Sequence, residues 1–289
     1  MKARILGCRG SLASPGPETV YYGGNTSCIS LELSDGTCAI LDAGTGILRL
    51  GRDLAESPPG PIHIFLTHLH LDHIEGLGFF APVWTPEQEI HFWGPPSPVA
   101  GLSERIARYF SPPLFPLQLS EVPAQLVFHD LPEDEFRVGS ADVLAHPVQH
   151  RGPTVGFRFA DDGRTLAYIP DHEPFLGVAP GEVEPEWLSG FVLADGVDTL
   201  VHDAQYTEEE YRDRRGFGHS SVAHAVAFAQ ASGADRLVLF HHDPMHSDDE
   251  LELIGARARE LWGDEGTPPE LAREGTQLAI EPAAQRLTR

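Results

Sequence analysis

Long apolar runs are absent from this 289-residue sequence, and none approaches the ~20 residues of a membrane-spanning helix. Met1-Lys2-Ala3-Arg4 leads straight into Ile5-Leu6-Gly7, without the apolar stretch and small-residue cleavage site of a secretory leader. A membrane partner is therefore not expected, and a cytoplasmic location is. Cysteine is scarce. Cys8, Cys28 and Cys38 lie in or near predicted strands and lack C-x-x-C spacing, so buried reduced thiols are expected rather than a disulfide framework. No repeat recurs at a solenoid period. Runs of basic residues are missing too. The net charge is −23, and the densest basic cluster, Arg212-Asp213-Arg214-Arg215, is interrupted. Long nucleic acids are gripped mainly through Lys and Arg on phosphates. A field of this sign repels polyanions over a Debye length of roughly 8–10 Å. The charge thus argues against a long nucleic-acid partner and for a small substrate.

What the sequence does hold is His68-Leu69-His70-Leu71-Asp72-His73, four metal-binding groups within six residues. The apolar run Ile62-His63-Ile64-Phe65-Leu66 precedes it and reads as a buried strand. On an extended chain His68, His70 and Asp72 would point one way and His73 to a neighbouring place. That pattern serves two ions better than one. Imidazole and carboxylate are ligands expected for zinc, or for manganese or iron.

Around this cluster the pattern is mixed α/β. Ile29–Leu33 and Cys38–Leu41, joined by Ser34-Asp35-Gly36-Thr37, predict a hairpin. Helices are expected around 47–54 and 74–80, and a strand at Ile90–Trp93. The segment 94–131, bracketed by Pro-rich stretches, is expected to be a surface insertion with a helix over 99–110. Its Tyr109, Phe110 and Phe115 would line a cleft or anchor the insertion. Strands follow at 154–159, 165–169, 199–202 and 236–240. Ser220 is expected to cap a helix through Ser232, and Ser247-Asp248-Asp249-Glu250 to open another to Trp262. A single domain over 1–289 is expected, with a peripheral tail from about 263.

Further pieces give the cluster a context: Leu6-Gly7-Cys8-Arg9-Gly10-Ser11, Gly23-Gly24-Asn25-Thr26-Ser27, Leu41-Asp42-Ala43-Gly44-Thr45-Gly46, His150 before Gly156-Phe157, Asp171, Gly218-His219-Ser220-Ser221 and His241. In this order the chain resembles the metallo-β-lactamase-fold hydrolases, within them the ribonuclease Z-like and cyclic-phosphodiesterase-like branch. The resemblance implies a four-layer αββα sandwich. It also implies one metal on His68, His70 and His150, a second on Asp72, His73 and His241, and Asp171 bridging them. His146 competes with His150, whose spacing to Gly156-Phe157 favours it. His242 competes with His241; neighbours on a strand face opposite ways, and a Leu-x-His resemblance selects His241.

Two metals roughly 3.5–4 Å apart clamp a water and lower its pKa towards ~7, giving a hydroxide that attacks phosphorus or a carbonyl. Two dications, two carboxylates and one hydroxide leave a single positive charge, suited to a small monoanion. His219 lies outside the ligand set. By resemblance it contacts the scissile phosphate and assists the leaving oxygen, with Asp203 orienting it and raising its pKa. Asp72, His219 and Asp203 are thus the expected catalytic residues, and Asn25 and Thr26 are weaker candidates for substrate contact. The expected function is hydrolysis of a small phosphodiester, such as a cyclic nucleotide or short nucleotide diester. The alternatives are lactonase or thioesterase chemistry, tRNA 3′ processing, and a non-catalytic metal-dependent sensor. A homo-oligomer is compatible with the sequence.

Overall fold

The computed structural model describes residues 1–56, 60–264, 266–278 and 280. Its framework is two seven-stranded sheets. The first holds β1 (Lys2–Gly7), β2 (Cys28–Glu32), β3 (Cys38–Leu41), β4 (Ile62–Phe65), β5 (Glu89–Gly94) and β6 (Gln125–Asp130). The second holds β7 (Phe136–Val138), β8 (Ala141–Pro147), β9 (Val155–Asp161), β10 (Arg164–Ile169), β11 (Thr199–Asp203) and β12 (Leu237–Phe240). Two short strands complete them: β13 (Glu270–Leu271) pairs with β12, and β14 (Gln277–Leu278) pairs with β1. The α-helices among the described residues are α1 (Ile47–Glu56), α2 (Leu102–Tyr109), α3 (Phe191–Ala194), α4 (Glu208–Arg214), α5 (Val222–Ser232) and α6 (Asp248–Trp262).

Three apolar clusters order these elements into layers. Phe65, Phe157, Phe159, Tyr168 and Phe240 fill the core between the sheets. Ile40, Ile64, Ile90 and Leu102 pack the outer face of the first sheet against α1 and α2. Leu200, Leu237, Ala225, Phe228 and Ile254 pack the outer face of the second against α3, α5 and α6. The result is the four-layer αββα sandwich. Strands β3–β6 run parallel, as do β10–β13. Parallel strands are covered on both faces, which explains why Ile62–Leu66 reads as a continuous apolar run.

Local expectations met several adjustments. The cap of α5 is Ser221, whose side chain accepts from the His224 amide. Ser220 instead donates to the His172 carbonyl at 2.7 Å. The stretch 74–80 forms only a 3-10 turn at Leu77–Phe79. The segment 94–131 carries β6, which extends the first sheet beside β5. Phe110 and Phe115 are buried in the α1/α2 layer and meet each other and Tyr109 in edge-on or tilted ring contacts, so they anchor the segment, and Phe110 also borders a surface cavity there. The tail places an edge strand on each sheet, and Ala272, Leu278 and Ile280 enter the central core. Two-residue strands are too short to show a period of two, so sequence pattern missed them. Residues 281–289 of the expected tail lie outside the described residues.

Candidate metal centre

The His68–His73 cluster sits at one edge of the seam between the sheets, just past β4. His68 leaves the strand extended, but Leu71–His73 turn as a 3-10 helix. Simple alternation therefore ends at His70, and Asp72 joins His73 rather than His68 and His70. Ligand atoms of His68, His70 and His150 come within 4.8 Å of one another, as do those of Asp72, His73 and His241. Asp171, just past β10, lies between the groups. Its Oδ1 is 3.8 Å from Nε2 of His68, 3.7 Å from Nε2 of His150 and 3.4 Å from Nε2 of His241. Its Oδ2 is 3.1 Å from Nε2 of His73.

Both local competitions have a geometric outcome. His146 is an exposed side chain on β8, its ring turned to the Pro147 carbonyl. His150 reaches the group instead, its Nε2 3.4 Å from Nδ1 of His70. His241 is not on a strand: β12 stops at Phe240, and His241 takes φ of 60°. That left-handed backbone is uncommon outside glycine and clusters at functional sites. It aims Nε2 at Asp72, 3.3 Å away. His242 turns outward, with Nε2 on the Ala272 carbonyl. Burial pushes its pKa down to about 3, so it stays neutral.

A layer of partners fixes several of the rings, and most of these residues were not singled out from sequence. Nδ1 of His73 donates to Asp42 at 2.8 Å, and Asp42 also accepts from Thr67 and from the Tyr168 hydroxyl. Asp42 has φ of 55°, a second strained residue beside the site. Its position in the Leu41-Asp42-Ala43-Gly44 motif was the one available signal. Nδ1 of His150 donates to the Gly218 carbonyl at 2.7 Å, and Nδ1 of His241 faces Oε1 of Gln205 at 3.2 Å. The Ser11 amide donates to Asp72 at 2.8 Å. Such outer contacts select the tautomer that leaves Nε2 free for a metal.

The centre has buried polar atoms that a cation would satisfy. Nε2 of His68, Nε2 of His73 and Oδ2 of Asp171 are buried without a hydrogen-bond partner. Burial opposes the Asp171 charge, yet the His241, His73 and His68 rings hold its carboxyl well below the usual range. Burial and the neighbouring His73 push His68 down, into the neutral form that ligates. Burial works against charge on His73 as well, but Asp171, Asp72 and Asp42 together drive it upward. Positive charge is wanted at this point, and nitrogen and carboxylate donors in these numbers fit divalent ions.

His219 lies beside the two groups, its ring 5.0 Å from that of His150 and 4.9 Å from that of His241. Its Nδ1 is 2.7 Å from Oδ2 of Asp203, a fully buried carboxylate at the end of β11. Asp203 is itself gripped by the amides of His172, Gln205 and Ser220. Burial opposes charge on His219, but Asp203, with Asp171 and Asp72 behind it, lifts its pKa to about 9. Asn25 and Thr26 are different. Asn25 is tied to the Glu274 carboxylate, and Thr26 is fully buried against Glu75 and Thr45. Both side chains hold loops together in this structure.

Residues 39–242 match the β-lactamase superfamily domain. The chain belongs to that superfamily. It is thereby one of the metal-dependent hydrolases that its motifs resemble, on the metallo-β-lactamase fold. A ribonuclease Z of Haloarcula marismortui is 26% identical, over 97% of this chain and 97% of the relative. Among solved structures, a diphosphatase from the PhnP family superposes with TM-score 0.66 at 18% identity, covering 97% of this chain and 98% of the other. The short form of human tRNase Z superposes with TM-score 0.64 at 23% identity, covering 97% and 100%. No helix among the described residues is long and apolar enough to cross a membrane.

Proposed function

We propose that this chain is a dinuclear phosphodiesterase for a small phosphodiester, such as a cyclic nucleotide or short nucleotide diester. In this reading His68, His70 and His150 hold one ion, Asp72, His73 and His241 the other, and Asp171 both. Zinc suits the donor set, and manganese or iron would also accept it. When bound, the ions supply Lewis-acid polarisation of the phosphoryl group and activation of a water.

The observation that carries the reading is the His219–Asp203 pair. With Nδ1 committed to Asp203, Nε2 is the nitrogen left for a substrate oxygen. The Asp203 carboxylate raises the pKa of the ring and so favours a proton on that nitrogen. A protonated donor beside the ions serves the departing alkoxide of a phosphodiester. Lactone or thioester hydrolysis does not require such a pair. The test is hydrolysis of bis-p-nitrophenyl phosphate by metal-loaded protein, with loss of activity in His68→Ala. Protein that leaves several phosphodiesters untouched while cleaving lactones or thioesters would sink the reading.

Processing of tRNA is the second reading, favoured by the names of the relatives. The net charge of −23 and the lack of any basic run oppose it. Tight tRNA binding at physiological salt in a mobility-shift assay would reverse this order.

A further inference from the structure

Directly beside His68 and His70 opens a cavity of about 380 Å³. Leu69, Val99, Ala100 and Pro153 give it apolar walls, and three arginines line it: Arg105, Arg108 and Arg151. Two come from α2, in the segment after β5, and the third directly follows His150. Three arginines lining one cavity are notable in a chain of net charge −23.

Arg151 is held in place without being neutralised. Its Nε donates to the Gly216 carbonyl at 2.9 Å, and its guanidinium carbon lies 5.4 Å from the centre of the Phe217 ring. No carboxylate lies within 4 Å of it among the described residues. The 216–218 loop that holds Arg151 also holds His150 through the Gly218 carbonyl and leads into His219. Glu173 pins that loop by accepting from the Gly216 and Gly218 amides. Arg108 is exposed and has only the equally exposed Glu104, at 3.9 Å. Arg105 is braced by the Pro95 carbonyl and Asp130, while its Nε is buried without a hydrogen-bond partner.

We infer that this cavity binds a second anionic group, a phosphate or carboxylate, at the end of the substrate arm that is not released. The inference rests on the phosphodiesterase reading and narrows its substrate class to diesters carrying a terminal oxyanion. The arginines recognise the oxyanion through charge-assisted, fork-shaped hydrogen bonds. The apolar lining takes the carbon part of the arm.

The test uses metal-loaded protein and matched p-nitrophenyl phosphodiesters whose second arm ends in methyl, carboxylate or phosphate. The anionic arms should raise kcat/KM by roughly tenfold or more over methyl, mainly through KM, since charged hydrogen bonds are worth ~1.5–3 kcal/mol. In an Arg108→Ala/Arg151→Ala double variant the ratio of anionic to methyl substrate should fall toward one. Whichever anionic arm shows the larger ratio identifies the terminal group. Absence of any preference in the parent protein, or its survival in the double variant, overturns the inference. Failure to cleave any of the diesters sinks the phosphodiesterase reading instead. A calorimetric titration of propyl phosphate into the same two metal-loaded proteins then still decides the cavity. Binding about tenfold weaker in the double variant supports it, and equal binding overturns it.

Discussion

Asp203 and His219 meet at 2.7 Å, a buried carboxylate against one ring nitrogen, with the other nitrogen left to the site. This contact separates proton donation from metal binding within one small volume. In the proposed reaction the metal groups would supply positive charge and His219 a proton at a fixed place.

His219→Ala should therefore damage turnover in a way that depends on the leaving group. General acids contribute about 10²–10⁴-fold when the departing oxygen is basic. The loss should be near that range for an alkyl leaving group and much smaller for p-nitrophenolate. Comparing kcat for the two substrate types checks this. An equal loss on both would show that His219 only shapes the site.

Asp203→Asn should cost both turnover and stability. Asp203 accepts from three backbone amides as well as from His219. An amide side chain turns some of those contacts into donor against donor, and each buried unsatisfied group costs ~1–3 kcal/mol. Thermal melting should drop by several degrees in Asp203→Asn and by much less in His219→Ala. The reverse order would place the importance of Asp203 elsewhere.

Two glycines should address the two metal groups one at a time. A Cβ at Gly218 would stand 2.4 Å from Nδ1 of His150, and at φ of 95° it would strain the backbone too. A Cβ at Gly10 would stand 2.2 Å from Nδ1 of His241. Each Gly→Ala change must push its histidine away. Metal analysis should show Gly218→Ala weakening one ion and Gly10→Ala the other, each leaving about one equivalent tightly bound. Full occupancy in both variants would contradict the assignment of His150 and His241.

Asp42→Ala should lower metal affinity although Asp42 belongs to neither metal group. It orients His73 through Nδ1 and is tied to Thr67 and Tyr168. Loss of such an outer partner typically costs 10–100-fold in affinity. Competition with a chelator measures it.

The sequence was most legible where chemistry is dense and local. The run from His68 to His73 announced a metal centre by itself, and the capping box at Ser247 marked the start of α6. Alternation along the chain was a poor guide at two points, for one reason. The 3-10 turn at Leu71 and the left-handed residue at His241 both break the period of two just where ligands are presented. Gln205 and Glu173 were invisible as helpers because their partners are 36 and 45 residues away, and Asp42, 31 residues from His73, showed only as part of a motif. Strand β6 hid in a Pro-rich segment because an edge strand need not be apolar on both faces.

The seam location of the centre has one more consequence. Four of the seven proposed ligands follow β4 in the first sheet, and the other three hang from loops of the second. In that assignment each ion would be gripped from both halves of the sandwich. Metal affinity becomes a gauge of how the sheets are registered against each other. A cavity cut into the shared core, for instance at Phe159, would be read out as a change in chelator resistance before any strand unfolds.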